Sequence, residues 1–166
     1  MKTVLRLAIF ALILSLPACD DDEEKKPSNQ VDLRTFLDGT FTVEQVSYTG
    51  EVNFVITTIP VSGVDPNAVG AYIFSAEEAT VTYNAKGILS FEPPFGQSPI
   101  EVPVEVGSLN ARFNVINDSS FEIEDETWGP MLYTVNSRTA NTLVATTSLA
   151  SDSAGFDMDM RINFSK

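Results

Sequence analysis

The chain has 166 residues, with 23 acidic and 10 basic side chains and a formal net charge of −13. A protein this acidic repels phosphate backbones, so we expect no nucleic-acid partner. The sequence has no histidine and a single cysteine, which excludes histidine-based catalysis, intramolecular disulfides and thiolate zinc clusters. Paired carboxylates are the remaining catalytic alternative, but no pattern brings two of them together. We expect no enzyme, no catalytic residue, no metal site and no cofactor.

Residues 1–18 combine a short basic head, carrying Lys2 and Arg6, with the apolar run LAIFALILSL. This is the plan of a secretory signal peptide. A membrane-spanning helix needs about 20 apolar residues, and this run is shorter and is interrupted by Pro17. The pattern therefore predicts a cleaved signal peptide over residues 1–18.

The end of the predicted signal peptide and the residue after it read Leu16-Pro17-Ala18-Cys19, which resembles the bacterial lipobox, where a leucine lies three residues before an invariant cysteine. The resemblance implies cleavage after Ala18, a diacylglycerol group on the Cys19 sulfur and acylation of the new amino terminus. Each buried methylene contributes about 0.8 kcal/mol, so several acyl chains hold a protein stably on a membrane. The membrane is thus a partner that the resemblance implies, through the N-terminal lipid.

A run of five acids follows the cysteine, and residues 19–30 are charged and polar as a whole. This composition predicts a flexible tether between the lipidated Cys19 and a folded domain. The five are Asp20, Asp21, Asp22, Glu23 and Glu24. They resemble the sorting signal that sends Bacteroidota lipoproteins to the outer face of the outer membrane, which implies exposure on the cell surface. An aspartate directly after the cysteine resembles the enterobacterial retention signal, so a periplasm-facing location is the alternative.

Residues 31–166 read as one folded domain that opens with a short helical or irregular segment, VDLRTFLDG. After this segment, apolar and polar residues alternate with the period of a β-strand. The clearest case is FDMDMRINFSK at the C-terminal end, and IEVPVEV repeats the pattern. Pro103 in IEVPVEV lacks a backbone donor, which suits an edge strand or a bulge.

Three segments read as hairpins, and TFTVEQVSY, VNFVITTI and AYIFS read as further strands. The first hairpin turns at Asn84-Ala85-Lys86-Gly87, the second at Asn117-Asp118-Ser119-Ser120, and the third between Ser137 and Asn141. The total of eight to ten short strands predicts an all-β antiparallel meander. Such a meander closes into a barrel to hide its edges, and an immunoglobulin-like β-sandwich is the alternative.

The lipobox, the acidic spacer, LDGTFTVEQV and the run of hairpins resemble the small lipocalin-like lipoproteins of Bacteroidota. Gly39-Thr40-Phe41 lies where lipocalins begin their first strand with Gly-x-Trp, and VNSRTANTLVATT is similar to their late hairpin. The resemblance implies a lipocalin-like β-barrel, and Arg161 is the candidate for the arginine that packs over the ring of the first strand.

One apolar stripe is the candidate ligand-binding surface inside the barrel. Its residues are Phe156, Met158, Met160, Ile162 and Phe164. They would line a cavity for a small hydrophobic ligand, since methionine is flexible and polarisable, or they would simply fill the core. Two other features are candidates: the aromatic pair Trp128 and Tyr133 for a sugar or protein contact, and Ser153 in Asp152-Ser153-Ala154, which resembles an O-glycosylation acceptor.

Two classes of function follow from these patterns. The first is a membrane-anchored envelope lipoprotein whose barrel binds a small hydrophobic ligand. The second is a non-enzymatic interaction or structural protein of the cell surface, which contacts a protein or glycan whose identity the sequence does not give. A continuous apolar cavity of about 300 Å³ or more favours the first, and a filled interior beside an exposed aromatic patch favours the second.

Overall fold

The computed structural model describes residues 31–54, 57–91, 98–126, 128–151 and 155–166, and residues 31–166 form one compact unit. One short helix, α1, precedes a series of antiparallel strands. The elements are α1 (Leu33–Leu37), β1 (Gly39–Phe54), β2 (Thr57–Asp65), β3 (Val69–Ser75), β4 (Thr80–Phe91), β5 (Ile100–Asn117), β6 (Ser120–Asp125), β7 (Gly129–Arg138), β8 (Thr142–Ser151) and β9 (Phe156–Ser165). The predicted helical start and the predicted number of strands are confirmed.

The sheet closes on itself because β1 pairs with β9 along Thr42–Val52. Each strand from β3 to β9 pairs with the next, which gives a closed ring of eight strands: β1 and β3 to β9. The ninth strand, β2, pairs with β1 along Val46–Phe54, while β3 pairs with Gly39–Thr42. Since β9 occupies the other edge of β1, β2 and β3 lie end to end along one edge. The closed ring confirms the barrel and excludes the β-sandwich.

Alternation along the strands is interrupted by bulges that change which residues face inward. In β1, Phe41 and Val43 are buried, the register against β9 then shifts, and Val46 and Tyr48 face inward after the shift. A similar shift between Val106 and Leu109 interrupts the pairing of β5 with β4. One added residue moves the alternation to the opposite phase, so each bulge keeps apolar side chains inside a curved wall.

Two of the three predicted hairpin turns are confirmed. The second and third fall where β5 meets β6 and where β7 meets β8. The first is wrong, because β4 runs without a turn through Asn84-Ala85-Lys86-Gly87. The side chain of Asn84 accepts a hydrogen bond from the backbone N–H of Ala71 at 3.1 Å, so this turn-forming residue is used within the sheet.

One end of the barrel is closed by α1 and a layer of aromatic rings. Asp32 caps the helix, and hydrogen bonds from the backbone N–H and hydroxyl of Thr35 hold the pKa of the Asp32 carboxyl below its ordinary value. The guanidinium of Arg34 donates to the backbone oxygen of Ala76, which ties the helix to the turn after β3. The buried side chains of this end include Leu33, Phe36, Leu37, Phe41, Phe74, Phe113, Phe121, Leu143 and Phe164.

A lysine, and not Arg161, packs over the ring of the first strand. Arg161 is exposed on β9, where its register partners are Ser47 and Thr146. The ammonium of Lys166 lies 5.3 Å from the ring centre of Phe41 and donates to the backbone oxygen of Phe36 at 2.8 Å. The prediction for Arg161 is wrong because side chains of β9 alternate, and Ile162 and Phe164 take the inward positions.

The predicted signal peptide, the lipidation site Cys19, the acids Asp20 to Glu24 and the glycosylation candidate Ser153 lie outside the described residues. These four predictions stay predictions. Among the residues that the structure does describe, no helix is long and apolar enough to cross a membrane.

Candidate ligand cavity

The half of the barrel away from α1 encloses a cavity of about 340 Å³. Its walls are almost wholly apolar and come from most strands of the barrel. The lining residues are Val43, Val46, Tyr48, Val52, Asp65, Ala68, Val69, Tyr72, Tyr83, Ala85, Lys86, Gly87, Ile88, Leu89, Val104, Val106, Trp128, Met131, Tyr133, Leu149, Phe156, Met158, Met160 and Ile162. An eight-stranded barrel is just wide enough to hold one small ligand, and the volume falls at the lower end of the range for ligand pockets.

Tyrosine rings separate the cavity from the packed end. Tyr72 and Tyr83 stack with their ring centres 5.2 Å apart, and both line the cavity. Beneath them the edge of Phe164 meets Tyr72 at 5.1 Å, and Tyr133 stacks on Phe121 at 4.9 Å. The hydrophobic effect and these ring contacts close the floor, so the empty space is confined to the other end.

The structure places four of the five predicted interior residues on the cavity wall. Going down β9, Phe156 lies at the rim, Met158 and Met160 follow, and Ile162 reaches the floor. Phe164 is buried, as an inward position requires, but it packs between Tyr72 and Phe41 below the floor. Phe164 therefore lies inside the barrel but outside the lining of the cavity, because the strand continues past the cavity into the packed end.

The rim at this end carries the most exposed aromatic ring of the site. Trp128, with 37% of its surface exposed, lies 6.0 Å from the ring of Phe156, and both line the cavity. Tyr133, which the sequence coupled to Trp128 as a surface pair, is buried in β7 instead. The two aromatics belong to the top and the bottom of one cavity.

The first half of β5 forms part of the same rim and pairs with another strand along one edge alone among the described strands. This half pairs with β4, but the pairing of β5 with β6 begins only at Arg112. The other edge of residues 100–111 therefore has no neighbour among the described strands. Pro103 lies in this length, which confirms the prediction that it belongs at an edge, and Val104 and Val106 line the cavity beside it.

One side chain of β2 and one of β1 bond the backbone of β4 where a ladder between β2 and β4 would otherwise form. The Asp65 carboxylate accepts the backbone N–H of Ile88 at 2.7 Å, and the Tyr48 hydroxyl accepts the backbone N–H of Ser90 at 2.5 Å. No β2–β4 pairing is present within the described ranges, although the two strands are neighbours. These bonds satisfy N–H groups of β4 that a ladder would otherwise use, and they hold the cavity wall together there.

Charged groups are scarce among the described residues of the cavity wall. Asp65 is 8% exposed, and its other carboxylate oxygen accepts the backbone N–H of Asn67 at 2.9 Å. The ammonium of Lys86 lies 3.5 Å from the carboxylate of Glu105, and both of these side chains are mostly exposed. Lys86 is the one cationic side chain among the described lining residues, and its charge is directed to the outer face.

Sequence reasoning found one wall of the cavity and missed the others. The inward residues of β1 were hidden by a bulge that interrupts their alternation. The alternation of IEVPVEV on β5 includes Val104 and Val106, but nothing in the sequence placed this strand across the barrel from the stripe on β9. Tyr48, Tyr72 and Tyr83 gave a signal as aromatic residues within predicted strands, but their common height in the barrel depends on register. Asp65 gave no signal, because an acid beside Pro66 and Asn67 reads as an ordinary turn.

The fold and its cavity define the class of this protein as a lipocalin-like antiparallel β-barrel, which has eight strands and an apolar cavity in the half away from α1. No protein-family profile and no curated protein matches the sequence.

Several solved structures are similar to the chain at low sequence identity. Bovine odorant-binding protein in complex with undecanal is 15% identical over 82% of this chain and 74% of its own length, with a TM-score of 0.38. Lobster apocrustacyanin A1 is 12% identical over 81% of this chain, with a TM-score of 0.37, and the chain spans 62% of its length. TM-scores this low carry no argument about function, and the architecture follows from the strand pairing itself.

Proposed function

We propose that this chain is a membrane-anchored envelope lipoprotein whose barrel binds a small hydrophobic ligand. The observation that carries the proposal is the apolar cavity of about 340 Å³, which exceeds the volume that distinguishes a binding barrel from a filled one. Its Met and aromatic side chains suit a ligand that is apolar and variable in shape. Binding, and not catalysis, is the role that such a lining supports.

The alternative, a surface protein that contacts a protein or glycan through a solid barrel, requires a filled interior. Among the described residues, the interior is filled at the α1 end, where the aromatic rings pack, and holds a cavity in the other half. Trp128, the aromatic residue that the alternative would use, lines the cavity rim and contacts Phe156. The ligand-binding proposal therefore has the stronger support.

Anchoring is the second part of the proposal and is supported by the sequence alone. The lipobox residues Leu16 to Cys19 and the acids after Cys19 support a lipoprotein of the outer membrane that is exposed on the cell surface. Metabolic labelling with radioactive palmitate tests the anchor: we expect label on the wild-type protein and none on Cys19→Ser. Label that persists in Cys19→Ser would contradict the lipidation site, and protease treatment of intact cells separates surface exposure from the periplasm-facing alternative.

Native mass spectrometry tests ligand binding. The protein, purified in mild detergent from the organism that makes it, is expected to carry a single added small mass. Extraction with organic solvent is expected to release this mass as an apolar compound. A protein that carries no such compound, and that binds none of a panel of apolar fluorophores, would contradict the ligand-binding proposal and favour the interaction protein.

A further inference from the structure

We propose that the cavity selects its ligand by charge, and that Asp65 sets this selectivity. The cavity accepts neutral and cationic apolar molecules and rejects anionic ones such as fatty-acid carboxylates. This inference rests on the proposed ligand-binding function and adds the chemical class of the ligand to it.

Asp65 lies in a wall whose other described residues are almost all apolar. The residue ends β2, is 8% exposed and lines the cavity. Backbone N–H groups of Asn67 and Ile88 each bond one of its two carboxylate oxygens, which fixes the orientation of the group. Each carboxylate oxygen has a second lone pair. A fixed carboxylate therefore contributes negative potential to a space whose described lining is otherwise almost wholly apolar.

None of the described lining residues places a cation beside the Asp65 carboxylate. Lys86 alternates to the outer face of β4, where its ammonium lies 3.5 Å from the Glu105 carboxylate. A charge in a poorly solvated wall is costly unless an opposite charge approaches it. A cationic ligand group supplies that opposite charge. A neutral ligand adds neither attraction to nor repulsion from the carboxylate, and an anionic group adds repulsion.

The electrostatic field of the whole protein acts in the same direction as Asp65. The formal net charge of −13 attracts cations and repels anions, and a cleft with low-dielectric walls concentrates such a field. Salt screens the long-range part of this effect over about 10 Å at an ionic strength of about 0.1 M, whereas the contribution of Asp65 inside the cavity is screened much less.

The cavity volume sets the size of the probes. At about 340 Å³ the cavity lies at the lower end of the range for ligand pockets, which favours small probes. Decanol, decylamine and decanoate are small, have closely similar chains and differ in the charge of one end. They isolate charge from length and apolar area.

The experiment measures displacement of the neutral fluorophore phenylnaphthylamine from residues 19–166 carrying Cys19→Ser, so that no acyl chain or detergent competes. We expect decanol and decylamine to displace the fluorophore and decanoate to be about tenfold weaker than decanol. The preference is expected to persist at high salt. Equal displacement by all three compounds would overturn the charge inference while leaving the ligand-binding proposal intact, whereas failure of the fluorophore itself to bind would contradict the proposed function.

Two variants assign the selectivity to Asp65. Asp65→Asn keeps a side-chain oxygen as an acceptor and removes the charge, and we expect decanoate to approach decanol in affinity. The control is Asp157→Asn, which removes the same charge from an exposed position on β9 and is expected to leave the preference unchanged. Equal effects of the two variants would overturn the role of Asp65, and the wild-type series tests the selectivity even if Asp65→Asn folds poorly.

Discussion

At the scale of single residues, Gly63 and Tyr48 form a matched pair across β2 and β1. They are register partners, and the ring of Tyr48 passes over Gly63 to reach the backbone of Ser90 on β4. A Cβ atom on Gly63 would lie 2.5 Å from the Tyr48 hydroxyl oxygen and 2.8 Å from the ring carbon that carries it. Only glycine at position 63 leaves room for the Tyr48 ring. The Tyr48 hydroxyl in turn accepts a backbone N–H of β4 that has no backbone partner among the described strands.

We predict that Gly63→Ala destabilises the protein by about 1–3 kcal/mol, because Tyr48 must move and leave the Ser90 N–H without its acceptor. Urea unfolding followed by circular dichroism measures the free energy of unfolding. Gly107→Ala is the control, since nothing lies within 4 Å of a Cβ atom there. Similar stabilities for the two variants would show that Tyr48 is not held as described.

At the scale of elements, β9 divides the barrel into two regions along its length. Met160 faces the cavity, whereas Phe164 is packed by Phe41 and Tyr72. We predict that Phe164→Ala costs about 3–5 kcal/mol of stability and Met160→Ala only about 1–2 kcal/mol, because one side of Met160 already faces empty space. Thermal and urea unfolding of the two variants measure this difference. Equal losses of unfolding free energy would mean that Met160 is packed in a core and does not face a cavity.

The helix α1 supplies a prediction with a defined pH dependence. The pKa of Asp32 is lowered in the folded state by the hydrogen bonds from Thr35. A lowered folded-state pKa stabilises the fold above the ordinary value of 3.8, and the contribution is lost as the pH falls through the folded-state pKa. Asp32→Ala is thus expected to lower the melting temperature by a few degrees near neutral pH, and by progressively less below about pH 4. A difference between wild type and variant that grows on acidification would contradict the cap.

The strands and turns differ in how well the sequence patterns predict them. Period-two alternation predicted β9, and turn-forming residues predicted the turns at Asn117 and Ser137, because local chemistry alone decides these features. The turn predicted from Asn84 and Gly87 was wrong, because these two residues make long-range contacts within the sheet. Asn84 bonds Ala71, and a Cβ on Gly87 would lie 2.9 Å from the Asp65 carboxylate. Such contacts depend on strand register, which bulges shift and local sequence does not specify.

At the scale of the whole molecule, the closed ring explains why one chain holds both a core and a cavity. Barrel closure could be predicted from the number of strands and the need to hide their edges. The volume of the cavity could not be predicted from the sequence, because it depends on where α1 and the phenylalanine layer end inside the barrel. The pairing of β1 with β9 closes the wall, α1 and the tyrosine floor fill one end, and about 340 Å³ of apolar space remains between the described residues of the other half.

Filling the cavity is the measurement that tests the central claim most directly. Met160 lies on the cavity wall, so the larger side chain of Met160→Trp is expected to occupy the space that a ligand needs. We predict a single saturable site for phenylnaphthylamine in the wild-type protein and an affinity at least about tenfold lower in Met160→Trp, with an unchanged β-sheet circular dichroism spectrum. Equal binding by the two folded proteins, or no saturable binding by the wild type, would contradict a ligand site inside the barrel.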